Sequence, residues 1–252
     1  MSKPRICYFD IETAPSLGYF WGKLWETDII EVQQPWYMLC FAYQWEGEAK
    51  IHARSLPDYP NFKKDKQDDS ALIKDLWKVF DEADILIAHN GDRFDIRKTY
   101  ARFAMLGMPP PSPSKTIDTY KQAKRWFDFE SNRLNTLGRL LGVGTKIANT
   151  GFALWKKVML TADEKAWGLM VRYNKQDVRL LKRVYLKLRP FMRTHPNLTI
   201  YDEFDRPACP KCTSTDVVKR GYQFAAKLKY QRYLCNFCHG WFQGECIRKK
   251  RK

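Results

Sequence analysis

Asp10 and Glu12 sit two residues apart in the stretch CYFDIET, residues 7–13. Tyr8, Phe9 and Ile11 around them suit an extended, half-buried backbone. In a strand, side chains at i and i+2 point to one face, roughly 6.5 Å apart along the chain. Carboxylates held side by side repel each other, and bound cations would reverse the sign of that interaction. Two later stretches carry further acids. In LIAHNGDRFDI a buried-looking strand runs into a turn at Asn90-Gly91 and then a helix. Asp92 reads as that helix's N-cap, which puts Asp95 at the third helical position. In VRYNKQDVRLLKRVY, Tyr173 and Asp177 are i and i+4, neighbours on one helix face. Each has an ordinary reading when taken alone. Asp95 is then a capping-box acid favouring the helix dipole, and Asp177 pairs with Lys or Arg on a solvated face.

Four of the seven cysteines form a second constellation. Cys209 and Cys212 in CPKC are followed after 22 residues by Cys235 and Cys238 in CNFC. Two tight thiol pairs at this spacing suit one tetrahedral, structural Zn²⁺ with no open position. A redox dithiol would need one pair. Zinc would supply much of the folding energy of so small a module. Cys7, Cys40 and Cys246 fall outside the pattern and read as free thiols.

The elements that must position these groups alternate. Strands are expected at 5–12, 36–46, 48–54, 84–89 and 115–118, with a hairpin turn at Glu46-Gly47-Glu48. Helices are expected at 69–83, 93–106, 118–128, 133–141 and 162–188. The first carries a 3.6-period stripe of Leu72, Ile73, Leu76, Trp77, Val79 and Phe80. This order predicts an α/β fold, a mixed sheet flanked by helices. GMPPPSPSK at 107–115 reads as a loop. A composition break near THPNLTIYDEFDRPACP divides the chain into domains at 1–200 and 201–252. Asp118 reads as the N-cap of the helix after it, and His89 as a satisfied, buried histidine.

Asp-x-Glu on the first strand, Asn-x4-Asp with an aromatic before the Asp, and Tyr-x3-Asp on a late helix occur in that order. This resembles the DEDD exonuclease superfamily, whose fold is ribonuclease H-like. It is most similar to the branch with tyrosine in the third motif, which includes the proofreading domains of A- and B-family DNA polymerases. The resemblance covers residues 5 to about 190. The sister branch has a histidine shortly before the last aspartate, and residues 170–176 contain none. The segment from residue 14 to Trp36, with Trp21 and Trp25, reads as an insertion or long loop.

The resemblance implies that Asp10, Glu12, Asp95, Tyr173 and Asp177 are catalytic. Its four carboxylates would hold two Mg²⁺ or Mn²⁺. Four carboxylates within about 5 Å would cost about 3 kcal/mol per pair at an effective dielectric near 20. Two hard cations would instead be attracted, and would serve an in-line displacement at phosphorus. Asp10 would bridge the ions, Glu12 and Asp177 would serve the nucleophile side, and Asp95 would help hold the second ion through water. Tyr173 would orient the attacking water, since an unperturbed tyrosine with pKa about 10 is a poor base. Thr13 would offer its backbone N–H to the terminal nucleotide. Phe20, Trp21 and Trp25 read equally well as base-stacking groups or as ordinary packing.

The cysteine module resembles the zinc ribbons of transposases over about 34 residues, including Val217-Val218-Lys219, Gly221, Gln231-Arg232-Tyr233 and Phe242. Such ribbons commonly bind nucleic acid. Lys219, Arg220, Lys227, Lys229, Arg232 and the tail RKKRK at 248–252 would then contact phosphates. The alternative is a solvated basic surface that meets protein.

Charge points the same way. The chain of 252 residues carries a net +16. Residues 209–252 hold eleven Lys and Arg against two acids, Asp216 and Glu245. Such a balance favours polyanions, nucleic acid first. No apolar run is long enough to span a membrane. The start lacks the apolar core of a signal peptide, and the spacing assigns four of the seven cysteines to metal rather than disulfides, so a cytoplasmic, reducing location is expected.

The expected activity is metal-dependent 3′-to-5′ exonuclease on DNA, favouring a single-stranded 3′ end. The length leaves no room for a polymerase domain, so a polymerase or other replication or repair protein would act in trans. An RNA exonuclease or structure-specific endonuclease on the same fold is the alternative within enzymes. A non-catalytic nucleic-acid-binding adaptor is the alternative outside them, and the intact set of acids argues against it.

Overall fold

The computed structural model describes residues 3–22, 28–148, 150–161, 163–225 and 228–247. The expected Lys227, Trp25 and the 248–252 tail lie outside the described residues. In chain order the strands are β1 (Ile6–Thr13), β2 (Leu17–Tyr19), β3 (Glu31–Gln34), β4 (Met38–Trp45), β5 (His52–Ser55), β6 (Ile85–Ala88), β7 (Lys115–Asp118), β8 (Val217–Ala225), β9 (Leu228–Cys235) and β10 (Trp241–Cys246). The helices are α1 (Ser70–Glu82), α2 (Asp95–Met105), α3 (Thr119–Trp126), α4 (Leu134–Leu140), α5 (Phe152–Leu160) and α6 (Glu164–Leu188).

The main sheet has the order β5-β4-β1-β6-β7. β4 is antiparallel to both β1 and β5, while β6 is parallel to β1 and β7. The sheet is therefore mixed, with β1 at its centre. Strand alternation sends Cys7, Phe9 and Ile11 to one face, against Leu72, Ile73, Leu76 and Phe80 of α1, Phe103 of α2 and Leu154 of α5. Ile6 and Tyr8 go to the other face, against Ala123 of α3, Leu137 of α4 and Val178, Leu181 and Val184 of α6. Helices thus cover both faces, as the apolar character of both sides of β1 and β6 requires.

Three local readings change. The segment after Thr13 is not a loop alone, because β2 and β3 pair antiparallel in it. α5 lacks an expected counterpart. Helix α2 begins at Asp95 with Phe94 as its N-cap residue, so Asp92 does not cap it and Asp95 is not at the third helical position. Asp92 instead pairs with Lys121 at 2.6 Å.

In a separate three-stranded sheet of order β10-β9-β8, Cys235 ends β9 and Cys238 lies in the turn after it, while Cys209 and Cys212 precede β8. Among the described residues no helix is long and apolar enough to cross a membrane.

Candidate active site

Asp10 and Glu12 share the parity of Tyr8, so they project on the α6 side of β1. β6 pairs with β1 only over Ile6–Tyr8. The acidic end of β1 therefore runs past its parallel neighbour and leaves a free edge. Asp95 fills that edge, with its Oδ1 accepting the Ile11 N–H at 3.2 Å. The turn before Asp95 is fixed from β7. Asp118 caps α3 by accepting from the N–H groups of Tyr120 and Lys121, as expected, and also accepts from the N–H groups of Asn90 and Asp92. Gly91 is needed there, since a Cβ would lie 2.4 Å from the Ala88 Cβ. His89 is half-buried, with Nδ1 2.8 Å from the Thr119 hydroxyl.

α6 supplies the third side. Its buried stripe of Met170, Asn174, Asp177, Val178 and Leu181 contains two polar residues at helical spacing. Asn174 donates to Asp10 Oδ2 at 2.6 Å and to the Asp10 carbonyl at 3.2 Å. Asp177 is 2% exposed, so the solvated-face reading does not hold for it. It does pair with a lysine. Lys146, in the loop between α4 and α5, places Nζ 2.5 Å from Asp177 Oδ2 and 3.0 Å from the Tyr173 hydroxyl.

Carboxylate oxygens of Asp10, Glu12 and Asp177 lie within 4.8 Å of one another. The Asp177 Oδ1 is buried with no hydrogen-bond partner. Burial, then the charges of Asp95, Glu12 and Asp177, push Asp10 well above the usual carboxylate range. Burial and Asp177 push Glu12 up to about 8. Burial pushes Asp95 up to about 7 against the Ile11 hydrogen bond. Burial, then Asp177, push Tyr173 up to about 12. Burial acts to lower the Lys146 ammonium, but Asp177 reverses this and raises it. A cluster of mutually repelling acids with an orphaned carboxylate oxygen fits divalent cations.

Beside the acids lies a cavity of about 550 Å³, lined among others by Thr13, Trp36, Phe94, Lys98, Trp155 and Tyr173. Lys98 Nζ lies 3.8 Å over the Trp36 ring. Tyr173 meets Trp155 edge-on at 6.2 Å. Phe20 and Trp21 are exposed, at the end of β2.

The four cysteine sulfurs also converge within 4.8 Å. Cys209–Cys238 and Cys212–Cys235 are each 3.6 Å apart. Sulfurs about 2.3 Å from a tetrahedral Zn²⁺ are about 3.8 Å from each other, so the set fits that ion. Cys7, Cys40 and Cys246 are free. The basic residues of the module do not share one face. Lys219 pairs in register with Tyr233, and Lys229 is four residues earlier on the same strand as Tyr233, so these two share a side. Arg232 points to the other side, over the Trp241 ring at 4.9 Å. Lys229 lies 3.6 Å over the Tyr222 ring. Arg220 is exposed, and its carbonyl accepts from Arg232 Nε at 2.9 Å.

A five-stranded mixed sheet flanked by helices, with carboxylates gathered where its central strand ends, defines an RNase H-like nuclease fold. Residues 26–189 match the RNase_H_2 family, and the chain belongs to the RNase_H superfamily. Members of this class use divalent metals and act on nucleic acid. Among matching solved structures is the family B DNA polymerase from the hyperthermophilic archaeon Pyrobaculum calidifontis, at 16% identity and a TM-score of 0.53. The match covers 75% of this chain and 26% of the polymerase, so the chain spans about a quarter of that protein. At this identity the likeness is one of fold. No curated protein sequence matches the chain.

Proposed function

We propose that this protein is a metal-dependent 3′-to-5′ exonuclease acting on DNA, built from a nuclease domain at 1–200 and a zinc ribbon at 201–252. The observation that carries the reading is the convergence of Asp10, Glu12 and Asp177 from two elements, with Asp95 from a third, beside an aromatic-walled cavity. The separate sheets of the two parts support the division.

Asp10, Glu12, Asp95 and Asp177 would hold two Mg²⁺ or Mn²⁺, which supply an activated water and stabilisation of the leaving 3′ oxygen. The chain's own groups do the positioning. Asn174 fixes the Asp10 carboxylate from α6. Lys146 joins Tyr173 and Asp177, and so sets the hydroxyl that orients the attacking water. Tyr173 stays protonated at neutral pH, since burial and Asp177 raise it, and it acts as a hydrogen-bonding group rather than a base. Phe94, Trp36 and Trp155 offer ring faces to the terminal base, and Thr13 borders the same cavity. The ribbon would add phosphate contacts through Lys219, Arg220, Lys227, Lys229 and Arg232. A polymerase or another replication or repair protein would act in trans.

End-labelled single- and double-stranded DNA and RNA, incubated with Mg²⁺, Mn²⁺ or EDTA, test the reading. Single-nucleotide shortening from DNA 3′ ends, lost with EDTA and with Asp10→Ala, is expected. Preference for RNA ends gives an RNA exonuclease, and internal cuts an endonuclease. Binding without cleavage under every condition removes the catalytic assignment.

A further inference from the structure

Two cations are buried where the ribbon meets the nuclease sheet's last helix. Arg189, directly after α6, is 8% exposed, and Lys211, between the first two cysteines, is also 8% exposed. Neither forms an ion pair with a carboxylate among the described residues. Lys211 Nζ donates to the Pro190 carbonyl at 2.5 Å. The Arg189 guanidinium lies 5.7 Å from the Tyr185 ring centre and hydrogen-bonds that side chain, while its Nε is buried with no partner. A buried cation without a counter-ion is strongly unfavourable. A carbonyl dipole, a ring face and one tyrosine hydrogen bond are neutral partners that offset only part of that.

The sulfur cluster adjoins both. A Cβ placed on Gly240 would lie 3.2 Å from Cys238 Sγ and 3.7 Å from Lys211 Nζ, so the ammonium and that sulfur flank one point. Arg189 is joined to the same place through its neighbour Pro190, whose carbonyl accepts from Lys211 Nζ. Four thiolates around one Zn²⁺ carry a net charge of about −2. This matches the two buried cations in sign and number, whereas four neutral thiols would not.

We propose that the zinc centre is the counter-ion of Arg189 and Lys211, and that it clamps the ribbon onto the end of α6. The inference rests on zinc filling the four-cysteine cluster. Zinc then acts twice: it folds the ribbon, and it holds the basic strands β8 and β9 in a set orientation to the acidic site. Without both cations the folded, zinc-loaded ribbon keeps the hydrogen bond from Leu198 N–H to the Pro210 carbonyl and the chain connection, but loses the charge contacts.

The test uses full-length protein. Zinc content is measured by elemental analysis, zinc affinity by competition with a colorimetric chelator, and compactness by small-angle X-ray scattering at saturating zinc. Arg189→Met/Lys211→Met is expected to bind one zinc at least about tenfold more weakly. At saturating zinc it should scatter as an expanded particle, and proteolysis in the 202–207 segment should quicken. Arg189→Lys, which keeps the charge, should stay compact. If the double variant does not fold, Arg189→Gln alone carries the test, with the same weakened zinc affinity and expansion expected. Wild-type zinc affinity and compactness in the charge-removing variants overturn the clamp while leaving the zinc site standing. A wild-type protein that holds no zinc overturns both.

Discussion

Lys146 Nζ lies 2.5 Å from Asp177 Oδ2, so an ammonium occupies one side of the carboxylate cluster. It also reaches the Tyr173 hydroxyl at 3.0 Å. In the proposed mechanism a lysine here would compete with divalent cations for Asp177 and at the same time hold the hydroxyl that would face the attacking water. Lys146→Met should therefore tighten Mn²⁺ binding several-fold and lower kcat by about 10- to 100-fold. Calorimetric Mn²⁺ titration together with turnover at saturating metal checks both signs. Weaker Mn²⁺ binding in the variant would show that Lys146 positions Asp177 for metal instead.

The acids make the metal-free protein pH-sensitive. Glu12 is pushed up to about 8 and Asp95 up to about 7, both first by burial, against ordinary values near 4. At these sites, and at Asp10, the folded state binds more protons than the unfolded state between about pH 4 and 8, which outweighs the opposite effect of His89 and His195, both pushed down to about 4 by burial. Stability accordingly falls as pH rises through that window. In EDTA, Tm should drop by several degrees from pH 5 to pH 8.5. Mg²⁺ or Mn²⁺ should restore more Tm at pH 8.5 than at pH 5, because binding displaces protons. Calorimetric scans with and without metal measure this, and a metal-free Tm that rises across the window would contradict it.

Tyr173→Phe removes the hydroxyl while keeping the ring against Trp155. The expected result is a fall in kcat of about tenfold or more with metal affinity nearly unchanged, because in the proposed mechanism the hydroxyl orients water and does not ligate. Equal losses in kcat and in Mn²⁺ affinity would make Tyr173 part of the ion site.

Much of this site is written in short-range sequence pattern. Asp10 and Glu12 announce themselves by strand parity, and the strand, turn and helix around Asp95 are each legible. The exact helix start is not, because Phe94 takes the N-cap position without a capping side chain. Asn174 left a usable signal, since it falls in the buried stripe between Met170 and Asp177, where an unpaired amide would be costly. Lys146 left none. It sits in an irregular loop and reaches Asp177 across 31 residues, a pairing that only the tertiary arrangement creates. The cavity wall was hidden for the same reason. Trp155 and Phe152 come from α5, nine residues with a glycine at its N-cap and no capping side chain to mark it. In the ribbon, the cysteine spacing fixes the sulfur cluster, but strand register decides which basic residues share a face.

That register shapes the last prediction. Lys219 and Arg220 are exposed, whereas Lys229 lies over Tyr222 and Arg232 over Trp241. Cation–π contact holds the latter two side chains but leaves their charge available to phosphate. Lys219→Gln/Arg220→Gln in full-length protein, on an Asp10→Ala background that prevents cleavage, should weaken DNA binding. Fewer counterions are released on binding, so the loss is larger at low salt. The slope of log K against log salt should become shallower by about 0.7 for each phosphate left unneutralised on a single strand, and by about 0.9 on duplex. Adding Lys229→Gln and Arg232→Gln should flatten the slope further by a comparable amount. None of the four residues ligates the acidic cluster, so the same changes on the wild-type background should leave turnover at saturating substrate nearly unchanged. Binding measured by fluorescence anisotropy at several salt concentrations supplies the slopes. Identical slopes in all variants would mean that the ribbon does not touch nucleic acid and would reassign its basic strands to a protein partner.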